Sequence, residues 1–234
     1  GTLFPYTTLF RSYFGIGRGM LQAWSRWATP LFTVDLGAAP ALEPLAVGQE
    51  RLLVATQGGE LRLLQRAWTR WRRPIAGAAW ALSAASEERA LLLTSEAAEL
   101  VELKDGQSVA HWAQLVAAGS AQTRGGATAS VGLDAQGRLH WLDAELSTRP
   151  VVESGRAWLT SERCRPVPQL VAFGTRRVVL TCEQGLALLL DEGGQPTQCW
   201  DLQGGAPWPA RLGPGAGQLL LATRGGRLWS VQAK

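Results

Sequence analysis

The stretch RLLVATQGGELRLL, residues 51–64, decides the fold. Two short apolar runs flank Gln57-Gly58-Gly59, where glycine supplies the positive φ that a tight hairpin turn needs. LLVA is apolar on successive residues rather than on alternate ones, the mark of a strand covered on both faces. The pattern returns four times, as RALLLTSEAAELVEL from Arg89, SVGLDAQGRLHWL from Ser130, RVVLTCEQGLALLL from Arg177 and QLLLATRGGRLWSV from Gln218. The first leucines of the second runs, Leu61, Leu100, Leu139, Leu186 and Leu228, recur every 39 to 47 residues or so, the period of a propeller blade. A tryptophan ladder, Trp27, Trp71, Trp112, Trp158 and Trp200, runs at a similar spacing.

Working outward, outer strands are expected at 68–75, 108–115 and 196–202, and inner strands at 79–84, 170–173 and 209–212. Each unit then holds about four strands. Residues 86–104 are rich in Ala, Glu and Leu and read as a helix on propensity alone. The repeat register overrules that reading, because a helix in one unit would break the stack that buries each unit's faces. The fold class is all-β, a β-propeller of about five four-stranded antiparallel blades.

Residues 2–12, TLFPYTTLFRS, read as a translated sequencing adapter. Residues 1–19 are therefore set aside as an artefactual or disordered segment, and 20–234 are read as a single β-propeller domain. Met20, the one methionine, marks a candidate native start. The last repeat displays three strands, which leaves two expectations: a strand at 31–36 that completes it and closes a five-bladed ring, or, the favoured one, a chain that is a piece of a larger ring.

Composition narrows the function classes. At 234 residues, 46% hydrophobic and 18% charged, the chain can bury a sizeable core and is neither disordered nor collagenous. Its charge of +4 comes almost wholly from arginine, Lys104 and Lys234 being the lysines, and so mild an excess predicts no nucleic-acid partner. No run approaches the ~18 apolar residues of a membrane span. Cys164, Cys182 and Cys199 make an odd count without C-x-x-C spacing and read as buried, reduced thiols. Reduced thiols favour a cytoplasmic setting, whereas a signal sequence lost upstream would make it periplasmic.

No phosphate-cradling, zinc-protease, nucleophile-elbow or EF-hand motif occurs, so no catalytic, cofactor-binding or metal residue is assigned. Gly15-x-Gly17-x-Gly19 and Gly213-x-Gly215-x-Gly217 read as turns, and His111 and His140 as strand residues. One cluster stands out: Arg62, Arg66, Arg70, Arg72 and Arg73 interleave with Trp68 and Trp71. It suits an outer strand whose arginine stems lie over tryptophans, a set of protein-interface anchors, or a grip on phosphates and bases. The first reading ranks highest. The candidate interface is Arg66, Trp68, Arg70, Trp71, Arg72 and Arg73.

Two stretches carry a family resemblance. ELVELKDGQSVAHW, residues 99–112, and LALLLDEGGQPTQCW, residues 186–200, each run from a strand through an acidic, glycine-containing turn to a strand closing on tryptophan. Both resemble the tryptophan-docking repeat of quinoprotein-like (PQQ-type) β-propellers, a resemblance that extends over about residues 47–232. LHWLDAELSTRPV matches only as far as Asp143. Trp200-Asp201 is also similar to the WD pair of eukaryotic-type propeller repeats. The resemblance implies a ring of about seven or eight blades, of which this chain would be a piece. The family's dehydrogenases use adjacent cysteines and acidic calcium ligands near the quinone. This chain has no adjacent cysteines, so no cofactor is carried over. The reading is a non-enzymatic, monomeric bacterial scaffold that binds protein partners in an assembly or chaperone complex. The alternative is a truncated quinoprotein (PQQ-dependent) dehydrogenase-like propeller.

Overall fold

The computed structural model describes residues 4–6, 12–17, 19–25, 27, 29–47, 50–113, 115–122, 128–142, 148–150, 164–175, 177–202, 211–212, 218–223 and 225–232. These residues are strands and turns throughout. A first sheet runs β1 (Phe4–Tyr6), β2 (Ser12–Gly17), β3 (Met20–Trp24), β4 (Pro30–Asp35). A second runs β5 (Leu45–Ala46), β6 (Arg51–Ala55), β7 (Glu60–Gln65), β8 (Trp68–Pro74). The third contains β9 (Ala79–Ala84), β10 (Arg89–Thr94), β11 (Ala97–Glu102) and β12 (Ser108–Ala113). Each is an up-and-down antiparallel meander, the form of a propeller blade.

Two further meanders follow, β13 (Leu115–Gln122) with β14 (Thr128–Asp134), β15 (Leu139–Leu142) and β16 (Thr148–Pro150), then β17 (Gln169–Thr175) with β18 (Val178–Thr181), β19 (Leu186–Leu190) and β20 (Pro196–Asp201). Their inner strands β13 and β17 pair in parallel, which fuses them into one eight-stranded sheet. Gly119 makes the seam possible, because a Cβ there would collide with the Leu170 carbonyl. The last sheet is three-stranded, β21 (Arg211–Leu212), β22 (Gln218–Ala222) and β23 (Leu228–Gln232). The fold is an all-β propeller. The chain divides into two compact units, residues 1–111 and 112–234.

Burial explains the unalternating apolar runs. In the first unit, Leu52, Val54 and Leu64 pack with Leu21, Ala23 and Val34 of the first sheet. Their strand neighbours Leu53, Ala55, Leu61 and Leu63 pack the opposite way, with Leu82, Leu92 and Val101 of the third. In the second unit, Leu188 and Leu190 face Val131, Leu133 and Leu139, while Ala187 and Leu189 face Leu219 and Leu221. A strand covered on both faces buries every side chain, at roughly 1.5–3 kcal/mol for each large one. This packing demand also overrides helix propensity at 86–104, which forms β10 and β11.

The leucine ladder keeps its period but not its phase. Leu61, Leu139 and Leu228 sit opposite Ala55, Leu133 and Ala222, the last pair before each turn. The corresponding places in the other two blades belong to Ala98, opposite Leu93, and Ala187, opposite Thr181. Leu100 and Leu186 lie slightly off it. In the first sheet Leu21, opposite Ile16, lies one pair back from the turn, where Gly17 pairs with Met20.

Three expectations are corrected. Residues 31–36 do not complete the last sheet: Leu21 and Val34 are partners, so β4 is the outer strand of the first. Gly15 and Gly17 are strand residues of β2, and only Gly19, at φ 80°, occupies a turn. Finally, two of the three cysteines are not thiols, because Cys164 and Cys182 form a disulfide. The Pro166–Cys182 bridge lays the segment before β17 along the β18–β19 turn, an approach that sequence spacing does not reveal. A link across 18 positions contributes roughly 3 kcal/mol by restricting the unfolded chain. Cys199 is a free, exposed thiol.

The residue that Cys182 replaces is a recurring polar one. Thr56 and Thr223 open equivalent turns, and each hydroxyl accepts a backbone N–H four residues on. Asp134 does the same more strongly: its carboxylate accepts the Gln136 and Arg138 N–H groups, Arg138 Nε at 2.7 Å and His140 Nε2 at 2.8 Å. Burial alone would raise that carboxyl, but the hydrogen bonds from His140 and Arg138 outweigh it and hold it below the ordinary range.

Candidate interaction site

The arginine–tryptophan cluster falls on the β7–β8 hairpin of the second sheet, and its register sends the residues three ways. Leu63 pairs with Trp71 and Leu64 with Thr69, so Arg70 is the extra residue of a β-bulge. A bulge re-aims the side chains around it.

Trp71 and Arg73 turn toward the third sheet. Trp71 Nε1–H donates to the Leu103 carbonyl at 2.9 Å, and its ring lies on Gly106 so closely that a Cβ there would come within 2.8 Å of Cε3. Gly106 also has φ 79°, so the contact and the backbone both require glycine. Arg73 Nη2 donates to Glu99 Oε2 at 2.7 Å. Glu99 is buried on β11, and burial makes such a pairing obligatory for a carboxylate. These two residues are therefore joints between blades. Phe32, opposite Ala23, holds in the first sheet the place that Trp71 holds opposite Leu63.

Arg72 stands across the ladder from Arg62, a like-charge pair that Glu60 offsets through its ion pair with Arg62. The Arg62 side chain is largely covered and reaches toward the Asp35 carbonyl, so it too serves packing.

Arg66, Trp68 and Arg70 remain. With Glu50 and Gln65 they line an open groove of about 410 Å³ at the end of the blade where the β5–β6 and β7–β8 turns meet. Arg66 closes on Glu50 with Nε and Nη2 each 2.8 Å from a carboxylate oxygen, and the Arg66 N–H donates to the Glu50 carbonyl. The guanidinium holds the Glu50 carboxyl below its ordinary range, and the carboxylate in turn raises Arg66. Trp68 is 77% exposed beside this pair, the most exposed large apolar side chain among the described residues.

The rest of the tryptophan ladder divides similarly. Trp112 and Trp200 are half-buried on the outer strands β12 and β20, and Trp27 is exposed in the β3–β4 turn. Trp158 and the 213–217 glycines lie outside the described residues. Sequence reading placed the cluster on an outer strand but treated it as one site. It missed Glu50, whose distance in sequence hides its place beside Arg66.

By sequence the chain matches no protein-family model and no curated protein. By structure it is similar to BamB from Moraxella catarrhalis, with TM-score 0.60 and 13% identity over 95% of this chain and 82% of that one. It is also similar to BBS1N, from a crystal of its complex with ARL6DN soaked with lead, with TM-score 0.58 and 12% identity over 83% and 66% of the two chains. The computationally designed Ika8 protein gives TM-score 0.68 and 12% identity over 99% of this chain and 70% of its own. At these identities the likeness is one of fold.

Proposed function

We propose that the chain is a non-enzymatic β-propeller scaffold of the quinoprotein-like type that holds a protein partner in an assembly or chaperone complex. The observation that carries this reading is the exposed Trp68, set between arginines on a groove braced by the Glu50–Arg66 pair. Tryptophan and arginine dominate the binding energy of protein interfaces, and a large apolar ring left in water invites cover. The fold fits: the chain shares it with BamB from Moraxella catarrhalis and with BBS1N, which was crystallised in complex with ARL6DN. The Cys164–Cys182 bond adds a setting, since structural disulfides persist in oxidising compartments such as a periplasm. That reverses the preference drawn from three reduced thiols.

The test is photo-cross-linking in the source cell from a reactive residue placed at position 68, with a second at Arg165 as control. A discrete, stoichiometric adduct from 68 alone is the expected result. Turnover of a substrate by the purified chain, or a bound chromophore after adding pyrroloquinoline quinone and calcium, would replace the scaffold with the dehydrogenase-like alternative.

A further inference from the structure

The groove is built more firmly than a passive surface requires. Glu50 and Arg66 are the two non-glycine residues with positive φ among those described, at 58° and 54°. A residue bearing Cβ reaches that region at a cost, and such conformations persist where the surroundings enforce them. Here each enforces the other, through the paired side-chain bonds at 2.8 Å and the Arg66 N–H to Glu50 carbonyl bond at 3.1 Å. Two turns are thereby locked together, and Trp68 projects from the locked edge. Arg70, lifted out of the ladder as the bulge residue, stands two positions on.

The groove's charges are unequal. Glu50 is its one acid, and both carboxylate oxygens are engaged by Arg66, so the guanidinium of Arg70 leaves the lining one positive charge in excess. A phosphate backbone would want a row of uncommitted cations. This site offers one cation beside one ring, with a carboxylate in its wall. That combination suits a short polypeptide segment that brings an acid and an apolar side chain together.

We propose that the groove binds an acidic segment of the partner polypeptide, an apolar side chain lying over Trp68 and a carboxylate meeting Arg70. The assignment rests on the scaffold reading and specifies its partner's chemistry. Pre-setting of the two turns lowers the ordering cost that a flexible loop would incur on binding.

The experiment selects peptides of about twelve random residues, displayed on phage, against the purified full chain, then measures the enriched peptides by fluorescence anisotropy. Enriched sequences should be acidic with an aromatic or aliphatic residue nearby. They should weaken roughly tenfold or more on W68A and on R70E, and R70K should retain part of the binding. Both positions are exposed, so unchanged melting curves will show that the variants fold. Enrichment of basic or neutral sequences, undiminished binding to W68A and R70E, or tighter binding of a single-stranded oligothymidylate than of any peptide would overturn the assignment. A cellular cross-linked complex that survives W68A and R70E would sink this inference while sparing the scaffold. No complex at all would remove the scaffold itself.

Discussion

Trp68 and Trp71 lie three positions apart on one strand, each among arginines, and have opposite lives. Trp71 spends its indole N–H on Leu103 and its ring on Gly106, and Arg73 beside it is committed to Glu99. Trp68 presents its ring to water beside a salt bridge that stabilises the turn rather than covering the ring. Composition cannot separate them. What does is the bulge at Arg70 together with the neighbouring sheet, which reaches Trp71 and stops short of Trp68.

The comparison can be broken most forcefully at Trp71. Truncation in W71A removes a half-buried ring and its hydrogen bond and should cost about 3 kcal/mol of stability in urea unfolding. A loss near zero would mean that the ring does not join the blades. G106A attacks the same contact from the other side and should cost about 2 kcal/mol, through φ and through the clash with Cε3. In the W71A background the G106A penalty should shrink, and full additivity would show that the ring is not what Gly106 accommodates. E99Q keeps the shape at Arg73 while removing the charge, for an expected loss of about 1 kcal/mol.

Acid sharpens the other side of the comparison. Glu50 has its pKa lowered by Arg66, so the brace is complete above the ordinary carboxylate range and is lost as pH falls through the depressed value. The difference in tryptophan emission between wild type and W68A should therefore hold steady above about pH 5 and shift only below it. A flat trace throughout would uncouple the ring from the brace. The smallest expected effect is that of W68A on stability, within about 0.5 kcal/mol of wild type. A larger loss would make Trp68 a second Trp71.

Much of this fold was legible because a doubly covered strand leaves a plain mark in sequence. RLLVA, RALLLT and VVLT are apolar without a break, and each lies between two packed faces. The phase of the repeat was harder to read because turn length varies. Counted between the last ladder pairs, the β10–β11 turn is one residue shorter than the β6–β7 turn. The place of Leu61 is held by an alanine both there, at Ala98, and in the later blade, at Ala187, so the first leucine of the run is not the equivalent residue. The pairing of β4 with β3 was missed because an apolar strand does not state which edge it joins. The disulfide and the Glu50–Arg66 brace were missed for one reason. Each joins residues brought together by turns, and spacing along the chain carries no record of that meeting. The arginine cluster was visible as a cluster, but its division into joint and groove depended on a single inserted residue.

The parallel seam between β13 and β17 also bears on how the second unit folds. Its hairpins are local and can close within roughly 1–10 μs. The seam must wait for the whole of β14 to β16 and the stretch beyond them to be gathered in, so its contact order is high and its loop-closure entropy is met before any ladder bond forms. Until it closes, two inner strands expose unpaired edges, the state most open to joining another chain. The Cys164–Cys182 link leaves that loop as long as before, but it holds the segment before β17 against the β18–β19 turn and so presets one partner of the seam. Oxidation before docking would thus act on the rate at which the unit reaches its native sheet as well as on its final stability.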